Sequence, residues 1–128
     1  MALSHPESSE LSSLIIGSAI EVHKHFGPGL LESAYDAALY WDLLDRGLSV
    51  EQQRSIPLVY KSRPLNAVYR ADLIVERTIL VEVKSVEKTL PVHKAQGITY
   101  LKMTGPKVGL LINFNVPRLV DGITRLSL

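Results

Sequence analysis

No cysteine occurs anywhere in the 128 residues. That excludes a disulfide scaffold, a thiolate nucleophile, an iron–sulfur cluster and cysteine-ligated structural zinc. Long apolar runs are missing too: the longest, such as Val108 to Ile112, fall far short of a bilayer span. The opening Met-Ala-Leu-Ser-His-Pro-Glu has neither the basic region nor the apolar stretch of a signal peptide, so a cytoplasmic protein without a membrane partner is expected. There is no HExxH, no GxxxxGK[ST], no nucleophile-elbow serine and no internal repeat. His23 and His25, two apart, diverge on a helix and cannot chelate one ion there. A strong net charge of either sign is also lacking, the formal value being +1.

What is present is an ordinary folded composition, 46% apolar and 21% charged, in a length that supports one core. The charge is unevenly placed. Residues 1–60 hold three Lys/Arg against eight Asp/Glu, a net of −5, whereas residues 61–128 hold eleven against five, a net of +6. A basic half is able to approach a polyanion, although a mixed solvated surface explains the same numbers. Residues 1–10, rich in Ser, Glu and Pro, read as a loose arm, and residues 11–128 as a single domain.

Periodicity places the elements. Leu11, Leu14, Ile15, Ala19, Val22 and Phe26 form one helical stripe that Gly27-Pro28-Gly29 ends. A second helix begins near Leu31, with Leu31, Tyr35, Ala38, Leu39 and Leu43 as its apolar face and Gly47 closing it. Three β-rich runs follow at 51–60, 67–75 and 78–85, joined as a meander. Residues 92–103 return to helical spacing, with Ala95, Ile98, Thr99 and Met103 available for packing. Val108 to Asn113 reads as a strand buried on both faces, and Gly122 to Leu128 as a short last strand. The order α-α-β-β-β-α-β-β predicts an α/β fold, a central mixed sheet flanked by helices.

Alternation on the third strand sends Val81 and Val83 one way and Glu82 and Lys84 the other, two charges where burial is costly. Asp72 interrupts the preceding strand ten residues earlier, and a hairpin would bring it beside Glu82. Paired carboxylates with open water positions suit magnesium. A two-residue loop at Glu76-Arg77 would place Asp72 opposite Val81 and on the wrong face. A shared ion therefore predicts a three-residue loop, Glu76-Arg77-Thr78, or a bulge. Glu32 is expected on the core-facing side of the second helix, although an acid in a first turn also complements the helix dipole. Gln96 and Tyr100, spaced i, i+4, share a helix face; a core-edge tyrosine with a solvent-facing glutamine is what the sequence alone favours, and only if the face overlies Glu82 and Lys84 does Gln96 orient a ligand or water there. Gln53 and Tyr60 are weaker candidates, and His23 is an accessory near the Gly-Pro-Gly turn.

Gly29-Leu30-Leu31-Glu32-Ser33-Ala34-Tyr35 resembles the signature of the GxxExxY family, placed within the PD-(D/E)xK nuclease superfamily. Asp72 followed by Glu82-Val83-Lys84 is similar to the superfamily's core motif, without a proline before the aspartate. His93-Lys94-Ala95-Gln96 with Tyr100-Leu101 resembles the family's helix motif, and Gly109 to Phe114 its late strand. The resemblance, from about Leu11 to Leu126, implies a restriction-endonuclease-like core and metal-dependent phosphodiester hydrolysis. It implies that Asp72 and Glu82 ligate Mg2+ or Mn2+, that Lys84 positions or polarises the attacking water, that Glu32 completes the metal site or its surroundings, and that Gln96 orients it.

The expected function is a metal-dependent nuclease acting on DNA in preference to RNA, with little sequence specificity because no base-reading element is recognisable. So short a chain is compatible with a homodimer. Two other readings compete: a catalytically inactive nuclease-fold module that binds nucleic acid or a protein partner, and a small dimeric structural protein whose charged cluster only fixes the fold, with Glu82 and Lys84 closed as an ion pair.

Overall fold

The computed structural model describes residues 8–128. Of the expected N-terminal arm, residues 1–7 lie outside the described residues, and Ser8 to Glu10 are instead the first turn of helix α1 (Ser8–Phe26). Leu11, Ile15, Ala19 and Val22 of α1 are buried along one stripe, while Phe26 at its end is 47% exposed. Gly27 (φ +68°) and Gly29 (φ +103°) take left-handed conformations that turn the chain into α2 (Glu32–Asp45). Tyr35, Leu39 and Leu43 face the core. Leu31 does not: it is the residue before the first helical turn and is 77% exposed.

A five-stranded sheet follows, ordered β1 (Val50–Tyr60), β2 (Arg63–Val75), β3 (Ile79–Lys84), β4 (Val108–Asn113) and β5 (Ile123–Ser127). Strands β1, β2 and β3 form an antiparallel meander, β3 and β4 run parallel, and β5 returns antiparallel to β4. The parallel pair is joined through α3 (Pro91–Thr104). This is the mixed sheet with flanking helices that the sequence predicts. Most boundaries shift by a residue, and two have a clear local cause. Strand β2 starts at Arg63 rather than 67, because Lys61 and Ser62, both at positive φ, make a two-residue hairpin turn and Tyr60 pairs directly with Arg63. Gly122 belongs to a short 3-10 turn (Leu119–Gly122) ahead of β5.

Each face of the sheet has its own core. Leu73, Val75, Val81, Val83, Leu110, Ile112 and Phe114 pack against α1 and α2. Ile74, Leu80, Leu111 and Leu126 pack with Tyr100 and Leu101 of α3. The face α3 turns inward is Gly97, Tyr100 and Leu101, whereas Ala95, Thr99 and Met103 are exposed. Gly97 explains the difference. A Cβ there would lie 2.3 Å from Cδ1 of Leu126, so the missing side chain lets the helix seat directly on β5.

Candidate active site

The β2–β3 loop has three residues. Val75 stands opposite Ile79, Ile74 opposite Leu80 and Leu73 opposite Val81, which carries Asp72 opposite Glu82. Glu76 and Arg77 both take positive φ in this loop, and Thr78 Oγ1 donates to the Glu76 carbonyl. This is the register that the shared-site expectation required.

Backbone pairing between β2 and β3 ends at Leu73 and Val81, and side chains take over. The Asp72 N–H donates to Glu82 Oε2 at 2.8 Å, and the Val83 N–H donates to Asp72 Oδ2 at 2.8 Å. On the other side of Asp72, β1 is distorted as well: Gln53 has φ +54° between the pairs Gln52–Leu73 and Arg54–Ala71. The strand changes core at this point, since Leu73 packs toward α1 and α2 and Ala71 toward α3. Asp72 is half-buried and Glu82 only 3% exposed. Burial, together with the charges of Asp36 and Glu32, pushes Asp72 up to about 6. Burial and then the charge of Asp72 push Glu82 up to about 8.

Glu32 is exposed rather than turned into the core, because it opens α2 at the solvent edge. Its charge still acts on Asp36, Asp72 and Glu82. Asp36, one turn later, is the residue sequence reasoning missed. It is buried, accepts from Gln53 Nε2 at 2.6 Å and from Gln52 Nε2 at 3.3 Å, and is raised by burial. Its i, i+4 spacing from Glu32 was the available signal. Gln53 thus reaches the acidic group through Asp36. Tyr60, at the far end of the hairpin, is exposed beneath Lys61.

Lys84 meets the Gln96–Tyr100 face of α3. Lys84 Nζ donates to Gln96 Oε1 at 3.2 Å, and Gln96 Nε2 donates to the Tyr100 hydroxyl at 3.0 Å. Among the described residues Lys84 makes no ion pair within 4.0 Å, so the closed Glu82–Lys84 pair of the structural reading is not formed. The stretch after Lys84 is braced by Asn113, a second residue missed from sequence. Its Oδ1 accepts from the Val86 N–H and its Nδ2 donates to the Val86 carbonyl. Phe114 N–H bonds the Lys84 carbonyl, and its ring stacks on Tyr35 at 4.5 Å.

His23 is engaged elsewhere than with the acids. Its Nε2 bonds the Val116 carbonyl at 2.8 Å, and its ring lies 6.4 Å from that of Phe114. His93 Nδ1 accepts the Leu90 N–H at the start of α3. Among the described residues, no three His, Asp or Glu side chains gather as a complete ligand set. The expected convergence of three acids is therefore reduced to Asp72 and Glu82, with Glu32 and Asp36 acting through charge.

A family model described as the PD-(D/E)XK nuclease superfamily matches residues 9–126. The chain belongs to this superfamily. No curated protein and no solved structure matches it. As in the PD-(D/E)XK name, an aspartate is followed by an acid-x-lysine strand, here Asp72 and Glu82-Val83-Lys84. The donor set fits a divalent cation of the kind PD-(D/E)XK nucleases generally use. Asp72 Oδ1 and Glu82 Oε1 accept no bond from the described residues, and neither is sealed from solvent without a partner. Hard oxygen donors of this kind suit a cation that keeps much of its water and needs only one or two carboxylates. Among the described residues no helix is long and apolar enough to cross a membrane.

Proposed function

We propose that this single-domain chain is a cytoplasmic nuclease of the GxxExxY type that hydrolyses phosphodiester bonds, in DNA before RNA, with Mg2+ or Mn2+. The observation that carries the reading is the pair of bonds that ties Asp72 and Glu82 to each other's strand, with Lys84 beside them. Such a lock holds two carboxylates together although their ionised forms repel, and a divalent cation makes the doubly ionised pair favourable.

Asp72 and Glu82 would hold the ion, which when bound acidifies water and neutralises charge on the phosphoryl oxygens. Glu32 and Asp36 add negative charge that favours a divalent cation at the pair. Lys84 keeps N–H donors beyond the one given to Gln96, and its ammonium serves the developing charge on a phosphate. Gln96 fixes where that ammonium points, and Tyr100 fixes Gln96. The basic residues of 61–128 steer the backbone of the substrate, so affinity falls as salt rises.

The test is supercoiled plasmid with purified protein in magnesium or manganese, alongside Asp72→Ala and Lys84→Ala. Cutting by the wild type and loss by roughly 100-fold or more in both variants supports the reading. Equal cutting by all three marks a contaminant and removes it. Normal DNA affinity with neither cutting nor cation binding points to the binding-module alternative.

A further inference from the structure

Beside the acidic pair lies a hollow of about 280 Å3 that the catalytic reading does not use. Its wall is Leu58 and Tyr69 from the β1–β2 hairpin and Gln96, Thr99, Tyr100 and Met103 from α3. Past the distortion at Gln53, Ile56 and Ala71 of the outer hairpin pack with Tyr100 and Leu101 of α3, on the side where the hollow lies. The Tyr69 and Tyr100 rings stand edge to face, 6.4 Å apart. Tyr69 is 44% and Met103 48% exposed, an apolar opening to solvent rather than a closed core.

We propose that this hollow receives an unpaired nucleobase of the strand whose phosphate lies at Lys84, which makes single-stranded or locally unpaired nucleic acid the substrate class. The proposal rests on the nuclease reading above and deepens it. Three observations select a base over other occupants. The hollow adjoins the phosphate-directed lysine through Gln96, which lines it and bonds Lys84 as well as Tyr100. A polymer held at Lys84 therefore has its neighbouring unit at Tyr100. Among the described residues the wall is two tyrosines, a methionine and a leucine with the neutral polar groups of Gln96 and Thr99, and no carboxylate or ammonium, which suits a neutral π-face and neither a charged peptide nor a phosphate. The Tyr100 hydroxyl accepts from Gln96 and so keeps its own proton to give to a ring nitrogen or carbonyl of a base.

A paired base cannot enter, since its faces are covered by its stacked neighbours. Recognition by stacking on tyrosines also tolerates any base, in keeping with a site that has no base-reading array.

The experiment measures binding by fluorescence anisotropy of a labelled short oligothymidylate and of a labelled blunt duplex. It uses the full chain carrying Asp72→Asn so that neither probe is cut. Tyr69→Ala and Met103→Ala, both at solvent-exposed positions, are each added to that background, with Tyr69→Phe as the conservative variant. The expected result is that Tyr69→Ala weakens single-strand binding by roughly 5- to 100-fold, with Met103→Ala in the same direction, while duplex binding stays within about two-fold and Tyr69→Phe binds as the parent. Unchanged single-strand binding in Tyr69→Ala, or equal losses on both probes, overturns the proposal. Cleavage by the unmodified protein is scored separately. Cutting that persists while Tyr69→Ala has no effect overturns the base pocket alone, and a protein that neither binds nor cuts either probe overturns the nuclease reading with it.

Discussion

Asp72 and Glu82 each bind the other's strand through a side chain: Glu82 Oε2 takes the Asp72 N–H, and Asp72 Oδ2 takes the N–H of Val83, both at 2.8 Å. Two carboxylates are thereby fixed where the β2–β3 ladder stops, one nearly buried and one half-buried. Without a cation such a pair is costly to ionise, and the consequences are measurable.

Divalent binding should depend on the pair itself. Isothermal titration with manganese is expected to give binding in the wild type and none in Asp72→Ala. Asp36→Asn, which removes a charge acting on Asp72 but no proposed ligand, should weaken binding by roughly 10-fold. Asp45→Asn, at the exposed far end of α2, should change nothing. Equal heats in wild type and Asp72→Ala would place any ion elsewhere.

The metal-free protein should lose stability as pH rises. Glu82 is raised from 4.5 to about 8 and Asp72 from 3.8 to about 6, so the folded state holds protons that the unfolded chain has released. Stability from these groups is full below the unfolded values and lost as pH climbs through the folded ones. Within that window each pH unit costs at most about 1.4 kcal/mol per group. Urea midpoints in chelator should thus be lower at about pH 8 than at about pH 5, and Glu82→Gln should flatten the difference. A wild-type slope of the opposite sign would contradict the assigned shifts.

Tyr35 should matter through its hydroxyl. It donates to the Gly27 carbonyl at 2.5 Å and accepts the Leu30 N–H at 3.1 Å, closing the turn that sets where α2 begins. Tyr35→Phe keeps the ring stacked on Phe114 and should cost about 1–3 kcal/mol in chemical denaturation. A neutral substitution would mean that the two glycines hold the turn alone.

Gly122→Ala should be far worse than its chemistry suggests. A Cβ there would sit 2.1 Å from the Asn113 carbonyl oxygen, a backbone atom that cannot swing away. Asn113 in turn braces Val86, just past Lys84. A loss above about 3 kcal/mol is expected by urea denaturation, with poorer cutting where the protein still folds. A fully stable variant would show that the approach relaxes cheaply.

The hairpin register illustrates what the sequence could determine. Period-2 alternation puts Glu82 and Lys84 on one face, and the demand that Asp72 join them requires a three-residue loop or a bulge, of which Glu76-Arg77-Thr78 forms the loop. The element order followed from where the apolar period changed and where Gly and Pro interrupted it. These are local properties, set by steric and hydrogen-bonding preferences that act over a few residues. The errors arose where partners distant in sequence decide. Glu32 was read as inward by helical angle alone, but the angle fixes a direction around α2 and not how deeply the helix end is covered. Asp36 shares a helix face with Glu32, but its burial and its bonds to Gln52 and Gln53 depend on where the distant strand β1 lies. His23 was drawn toward the acids by its nearness to the Gly-Pro-Gly turn, whereas the carbonyl of Val116 holds it. The inward face of α3 was set by Gly97 against Leu126, a contact between a helix and the last strand. Local sequence thus chose the strands, the loop and the chemical groups. Which groups meet was decided by packing, because burial and the search of every buried polar atom for a partner are satisfied only when the whole chain is closed.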